Sequence, residues 1–305
     1  MSNPVSLPPN LTRFAWLSIA AALATITLKL VAWKLTGSVG LLSDALESLV
    51  NLAGALMALA MLTISSRPAD KNHPFGHDKF EYFSSGVEGS LILVAAVAIA
   101  WTAVERILSP HPLEQVGVGL VVSVVASLIN LGVALVLVRA GKRHQSITLE
   151  AGGKHLLTDV WTSGGVVLGV GLVEITGWQV LDPVVAILVA VNIVRVGVGI
   201  VHASVMGLSD VAIPESDQEL IRQKLAPWVK DGVSYHALRT RQAAGRQFVS
   251  FHLWVPGAWT VRQGHDVAEA MAVGIREVLP RAQVISHLEP EGDLDVGEDN
   301  FDPPL

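Results

Sequence analysis

The sequence predicts an α-helical membrane protein with six transmembrane helices, followed by a small α+β domain of order αββαβ. Three observations predict it. The 305 residues are 51% hydrophobic and 16% charged, with mean hydropathy +0.50, too apolar for an ordinary soluble domain. Six windows reach the roughly 20 apolar residues that a bilayer crossing needs. Near Met206 the composition changes, and alternating or amphipathic segments replace the apolar runs.

The spans fall near residues 14–35, 39–62, 84–107, 115–138, 151–176 and 180–205. Ahead of the first, "MSNPVSLPPNLTRF" is polar and proline-rich and runs straight into apolar sequence, so no cleavable signal is expected. The fourth, "VGVGLVVSVVASLINLGVALVLV", carries no charge. The links after spans two and four hold Arg67, Lys71, Lys79, Arg139, Lys142, Arg143 and Lys154; those after spans one, three and five hold little beyond Lys34 and Arg106. The positive-inside rule then places both termini in the cytoplasm of an inner or plasma membrane.

Residues 1–207 are thus expected to form the membrane domain and 208–290 a soluble one. In the latter, "ESDQELIRQKLAPWVKD" reads as an amphipathic helix. "YHALRTRQA" and "QFVSFHLWV" alternate as strands about a turn at "AAGR". "VRQGHDVAEAMAVGIREVL" is a second helix and "AQVISHLEP" a third strand, giving two helices on one face of a sheet. The acidic tail 291–305 is expected to be disordered.

Composition narrows the chemistry. With no cysteine there is neither a disulfide nor a thiolate metal site, so any metal falls to His, Asp, Glu, Asn or backbone. A net charge of −6 gives no sign of nucleic-acid binding. Ionisable groups at membrane depth are costly and mark transport paths. "SDALESLVN" in span two spaces Asp44, Glu47 and Asn51 at i, i+3, i+7, one helix face. "KHLLTD" in span five puts His155 and Asp159 at i, i+4. Two facing pairs, Glu47 with Asn51 and His155 with Asp159, supply four donors to one divalent cation. The competing reading is polar glue between helices.

Two further clusters lie outside the spans. In "RPADKNHPFGHDKFE", Asp70, His73 and His77 surround a Pro and a Gly in a loop able to fold three ligands onto one cation; a solvated polar connection is the alternative. His236, His252, His265, His287 and Glu289 fall on the strands and second helix of the soluble domain. Four of the chain's ten histidines lie there, which favours a metal-binding module over a scatter of surface histidines.

"GSVGLLSDALESLVN", "RPADKNHPFGHDKFE", "KHLLTD", "LRTRQ" and "HLEP" together resemble the cation diffusion facilitator family, over nearly all of residues 12–290. The resemblance implies a six-span homodimer with a ferredoxin-like cytoplasmic domain, exchanging divalent metal for protons. It implies a transport site at Glu47, Asn51, His155 and Asp159, and a loop site at Asp70, His73 and His77. It further implies a cytoplasmic site at His236, His252, His265, His287 and Glu289, and a Lys79–Asp210 charge pair linking dimer halves near the membrane surface. Zinc-selective members usually show HxxxD in span two and others DxxxD, whereas this chain has ExxxN. Asp44 is usually not a ligand in the family; here it shares the ligand face near the outer end of the span and suits an exit path, the alternative being a hydrogen bond to backbone or water.

The expected function is a divalent cation:proton antiporter exporting Zn²⁺ or Fe²⁺, with Mn²⁺, Co²⁺ and Cd²⁺ as further candidates. The metal is cargo and regulator rather than cofactor. The expected partners are a second copy of the chain, the ions and the lipid bilayer. A membrane metalloenzyme finds no HExxH, serine-nucleophile setting or cofactor fingerprint in the chain. A membrane-anchored metal sensor or scaffold leaves His155 and Asp159 without a task.

Overall fold

The computed structural model describes residues 11–36, 39–109, 116–178 and 180–291. The described residues up to Val205 form one compact unit and those from Met206 on another. The expected tail from residue 292 onward lies outside the described residues.

The first unit is built from six long helices: α1 (Thr12–Thr36), α2 (Val39–Ser65), α3 (Phe80–Leu108), α4 (Val116–His144), α5 (Ile147–Thr176) and α6 (Leu181–Leu208). At 1.5 Å per residue, 25 to 30 residues give about 38–45 Å, longer than a hydrocarbon core of about 30 Å. Among the described residues α1, α3, α4 and α6 are apolar and long enough to cross a membrane. In α2 the apolar stretch is Asn51–Ser65. In α5 the apolar run is interrupted by Lys154, His155 and Asp159.

Helix ends differ from the apolar windows where polar residues continue the helix. The helix α4 runs on through Arg139, Lys142 and Arg143 to His144, so these cations belong to its last turns and not to a link. Gln145 then takes φ 54°, and Ser146 caps α5 by accepting from Leu149 N. Lys154 correspondingly lies in α5, where it pairs with Glu150 at 2.8 Å. The two helices pack backbone to backbone. A Cβ on Gly141 would stand 2.6 Å from Glu150 N, and one on Gly153 would stand 2.7 Å from Val138 Cγ2. Small residues permit this approach where lipid supplies no hydrophobic force between helices.

Two buried clusters hold the helices around the polar residues of α2 and α5. Ala15, Leu62, Leu137 and Leu156 join α1, α2, α4 and α5. Ile92, Ala151, Ile193 and Ile200 join α3, α5 and α6. Buried Glu81 at the start of α3 accepts from Ser146 Oγ and from Thr148 N, and its backbone oxygen accepts from Thr148 Oγ1 at 3.1 Å. At the other end of α3, Arg106 Nη1 meets Asp182 Oδ2 of α6 at 2.7 Å.

The second unit contains α7 (Glu215–Leu225), a short 3-10 turn (Ala226–Trp228), β1 (Ser234–Ala243), β2 (Arg246–Val255), α8 (Val261–Val278) and β3 (Ala282–Pro290). The sheet order is β1-β2-β3, with β1 antiparallel and β3 parallel to β2. Val249, Phe251, Leu253 and Val255 alternate along β2 and pack on Ile221 and Leu225 of α7 and on Met271 and Ile275 of α8. The Thr260–Gln263 capping box starts α8. The opposite face of β2 therefore presents Ser250, His252 and Trp254, all half-buried.

Candidate metal centres

The α5 pair is placed one helical turn apart, and Asn51 of α2 stands between its members. Asn51 Nδ2 donates to Asp159 Oδ2 at 2.5 Å, and His155 Nε2 lies 2.8 Å from Asn51 Oδ1. An amide oxygen only accepts, so the ring carries its proton on Nε2 in this arrangement. The three candidate ligands thus satisfy one another. All three are half-buried. A cation that takes Asn51 Oδ1, His155 Nε2 and Asp159 Oδ2 must replace both hydrogen bonds and displace the ring proton. Next to them, Lys29 Nζ of α1 donates to Ser48 Oγ at 3.0 Å, a polar contact that the sequence reading passed over. The side chains of Asp44 and Glu47 lie outside the described residues, so their expected roles rest on sequence.

The loop cluster sits between α2 and α3. Asp70 Oδ1 accepts from Asn72 N at 2.9 Å and His73 N at 2.7 Å, which fastens the bend. Gly76 takes φ 90° and donates to His73 O, turning His77 back toward Asp70. His73 Nδ1 is 3.2 Å and His77 Nε2 3.4 Å from the Asp70 carboxylate. The three residues offer donor atoms all within 4.8 Å of one another. The His73 N–H, with further help from Asn72, holds the Asp70 carboxyl below the usual range, so this exposed group stays ionised well into acid. His77, by contrast, is buried.

On the C-terminal sheet the strand register makes a row. His236 of β1 pairs with His252 of β2, and His252 pairs with His287 of β3. Glu289 lies two residues past His287, on the same face. Its Oε1 is 2.7 Å from His252 Nδ1, and its Oε2 is 3.3 Å from His236 Nε2 and accepts from Trp254 Nε1 at 3.0 Å. His252 Nδ1 nevertheless makes no aligned hydrogen bond. A bulge re-aims β1 beside His236: the register slips between His236 and Arg239, and Ala237 adopts φ 48°. His236, His252 and Glu289 have donor atoms within 4.8 Å of one another. His287 Nε2 stands 3.8 Å from Glu289. His265 is exposed on the first turns of α8 and is not part of the close group among the described residues.

Lys79 directly precedes α3, while Asp210 follows α6 and accepts from Arg241 Nη1 at 3.0 Å within the C-terminal unit. That partner for Asp210 was not foreseen. Nor were the buried acids Glu81 and Glu88 of α3. The signal that singled out spans two and five, an ionisable residue in an apolar run, was present for Glu88 in "SSGVEGSLILV".

Two family profiles match the chain. "Cation efflux transmembrane domain" covers residues 15–209, and "Cation efflux protein, cytoplasmic domain" covers residues 213–291 under the name ZT_dimer. A protein of Synechocystis, described as the uncharacterized transporter sll1263, is 50% identical over 277 residues, 91% of this chain and 89% of that one. The cation-efflux pump FieF of Escherichia coli O127:H6 is 31% identical over 280 residues, 92% of each chain, and that of strain K12 is 30% identical over the same length.

Proposed function

Because the chain belongs to the cation efflux family, the cation diffusion facilitators, and is therefore a membrane transporter of metal cations and not an enzyme, we propose that it exports divalent cations from the cytoplasm in exchange for protons. Zn²⁺ and Fe²⁺ are the foremost cargo, with Mn²⁺, Co²⁺ and Cd²⁺ also accepted. The protein works as a homodimer, a reading that the name of its second matching profile supports.

The observation that carries this reading is the closed network of Asn51, His155 and Asp159. Ligands for a transported ion need partners in both states of the cycle. Asn51 supplies them when the ion is absent, since its amide offers a donor to Asp159 and an acceptor to His155. When a cation arrives from the cytoplasmic side, Nε2 gives up its proton to become a ligand; a neutral ring passes that proton to Nδ1, and a proton leaves the protein where the ring was imidazolium or a ligand carboxyl was protonated. Glu47 completes the donor set. Movement of the helices exposes the site to the far side, where protons return to His155 and a carboxylate and the ion leaves. A ligand shifts such an equilibrium only through its differential affinity for the two states, and protonation provides that difference.

The loop group at Asp70, His73 and His77 and the sheet group at His236, His252 and Glu289, with His287 and His265 extending it, serve as cytoplasmic metal sites. The sheet site senses metal and tightens the dimer. Flux in sealed vesicles tests the reading. Zn²⁺ or Mn²⁺ uptake into inside-out vesicles should rise when an outward-directed proton gradient is imposed, and counter-movement of protons should accompany it. Metal uptake indifferent to the gradient would remove antiport; no uptake of any divalent cation would remove the transport reading.

A further inference from the structure

Glu88 of α3 is 3% exposed, and its Oε2 has no hydrogen-bond partner among the described residues. It lines a cavity of about 20 Å³ whose other polar walls include Ser18, Asn51, Thr148 and His155. That space has room for one water or one bare cation. His155 has a second nitrogen to give: its Nδ1 is also buried without a hydrogen-bond partner. Gly152 makes the room, since a Cβ there would stand 3.5 Å from Glu88 Oε2 and 3.6 Å from Oε1.

An ionised carboxylate buried alone costs several kcal/mol, so such a group takes up a proton or is compensated by an ion, and a cation that binds it displaces the proton. Position says what kind of ion. On α5, Gly152, His155 and Asp159 follow one another at i, i+3 and i+7, so Glu88 sits at the Gly152 level, one turn nearer the loop end than His155. The seven residues from Gly152 to Asp159 rise about 10 Å. Glu88 is therefore too distant to share an ion with Asp159, yet it opens on the same cavity as His155.

We propose that Glu88 and His155 Nδ1 form a loading subsite, where the divalent cation sheds its water and binds before it passes to Asn51, Nε2 and Asp159. The two ring nitrogens of His155 hand the ion from one position to the next, the ring proton on Nε2 during loading moving to Nδ1 as Nε2 takes the ion. This rests on the transport reading and adds a residue that the span-two and span-five pairs do not contain.

The test is the concentration dependence of Zn²⁺ and Mn²⁺ uptake by the full-length protein in inside-out vesicles. Glu88→Gln keeps the shape and removes the charge; it should raise KM about tenfold while kcat stays within about twofold, a loss confined to cation capture. Glu88→Asp, which keeps a carboxylate on a shorter arm, should recover part of that loss. If Glu88→Gln does not assemble, Gly152→Ala takes its place. Its methyl fits at ordinary contact distance but fills the space in front of the carboxylate, so KM should rise while the charge is intact. An unchanged KM in whichever variant folds overturns the subsite, and so does a change in kcat alone. Wild-type vesicles that take up no cation would instead sink the transport reading beneath it.

Discussion

Asn51 hydrogen-bonds His155 on one side and Asp159 on the other, inside a helical unit, whereas His236 and His252 approach Glu289 to 3.3 and 2.7 Å on a sheet. Both groups are half-buried, and both combine imidazole with carboxylate. They differ in what the ligands do without metal. In the helical group Asn51 Oδ1, His155 Nε2 and Asp159 Oδ2 each have a partner one side chain away, while His155 Nδ1 stands without one among the described residues. On the sheet, His252 Nδ1 has no aligned hydrogen bond to fall back on. A site with fallback partners binds and releases at small net cost. A site without them gains more from an ion and holds it longer. The first suits cargo and the second a regulator, and breaking each should therefore have different consequences.

The largest effect is expected in the helical group. Asp159→Ala removes the only carboxylate described there, and transport should fall by roughly 100-fold or more, the scale of leaving a buried charged partner unmatched. Stability should change little, because the residue's hydrogen bond to Asn51 is worth about 1–3 kcal/mol at most. Flux and melting of the detergent-purified protein check the two halves separately. Retained flux would move the cargo site elsewhere, and a collapsed fold would make Asp159 structural.

Next comes the choice of metal. Asp159 and Glu47 bring oxygen and charge, Asn51 a neutral oxygen, and His155 the one nitrogen donor. Relative to a HxxxD pair in span two, this set is harder and favours Fe²⁺, Mn²⁺ or Co²⁺ more than usual, although Zn²⁺ still binds. The double change Glu47→His with Asn51→Asp should raise the Zn²⁺ to Mn²⁺ rate ratio about tenfold, equivalent to 1.4 kcal/mol. It also removes the Asn51 latch, so apo stability should decline in the same variant. An unchanged metal ranking would mean that these two positions do not set selectivity.

Much of this architecture was legible in the sequence, and the misses have physical causes. The six apolar windows coincide with six long helices because hydropathy reports the bilayer directly. The window for span three opens at 84 while α3 begins at Phe80, since Glu81 is polar by type but buried by virtue of Ser146 and Thr148, residues far away in sequence. Hydropathy ended span four at 138 although the helix runs to His144, because leaving an apolar window does not end a helix. The sequence put His236, His252, His287 and Glu289 on strands, but only the register between strands brings them to one face. The bulge that turns β1 beside His236 left no mark, since Ala237 is an ordinary residue in a left-handed conformation. Glu88 was passed over for want of an i, i+4 partner on its own helix; its neighbours come from other helices.

The sheet group should give a smaller effect on flux and a clear one on stability. Glu289→Ala deletes the carboxylate that His236, His252 and Trp254 converge on. Saturating Zn²⁺ should raise the melting temperature of the wild-type C-terminal unit, by about 2.7 kcal/mol of stabilisation at a hundred times the dissociation constant, and the variant should lose that rise. Transport by the full chain should slow only about threefold, since cargo does not pass through a regulatory site. A Zn²⁺ shift that survives Glu289→Ala would return these histidines to an ordinary surface role.

The smallest effect is expected at the charge pair that the family resemblance implies, Lys79 with Asp210. An exposed pair contributes roughly 0.2–1 kcal/mol, so Lys79→Ala should slow transport only about twofold and leave equilibrium cation binding unchanged. Asp210 complicates the matching variant. Its Oδ1 already accepts from Arg241, and its φ of 57° belongs to a turn in which Val211 N bonds to Met206 O and Gln242 N to Val211 O. A substitution at 210 therefore disturbs the join between the end of α6 and β1 as well as any bond to Lys79. A double-mutant cycle separates the two contributions. If Lys79 and Asp210 act as a pair, Lys79→Ala should cost nothing further once Asp210→Ala is present, and Arg241→Ala should leave the full effect of Lys79→Ala in place. If the two single effects multiply, Asp210 serves its own unit through Arg241, and Lys79 acts on some other group.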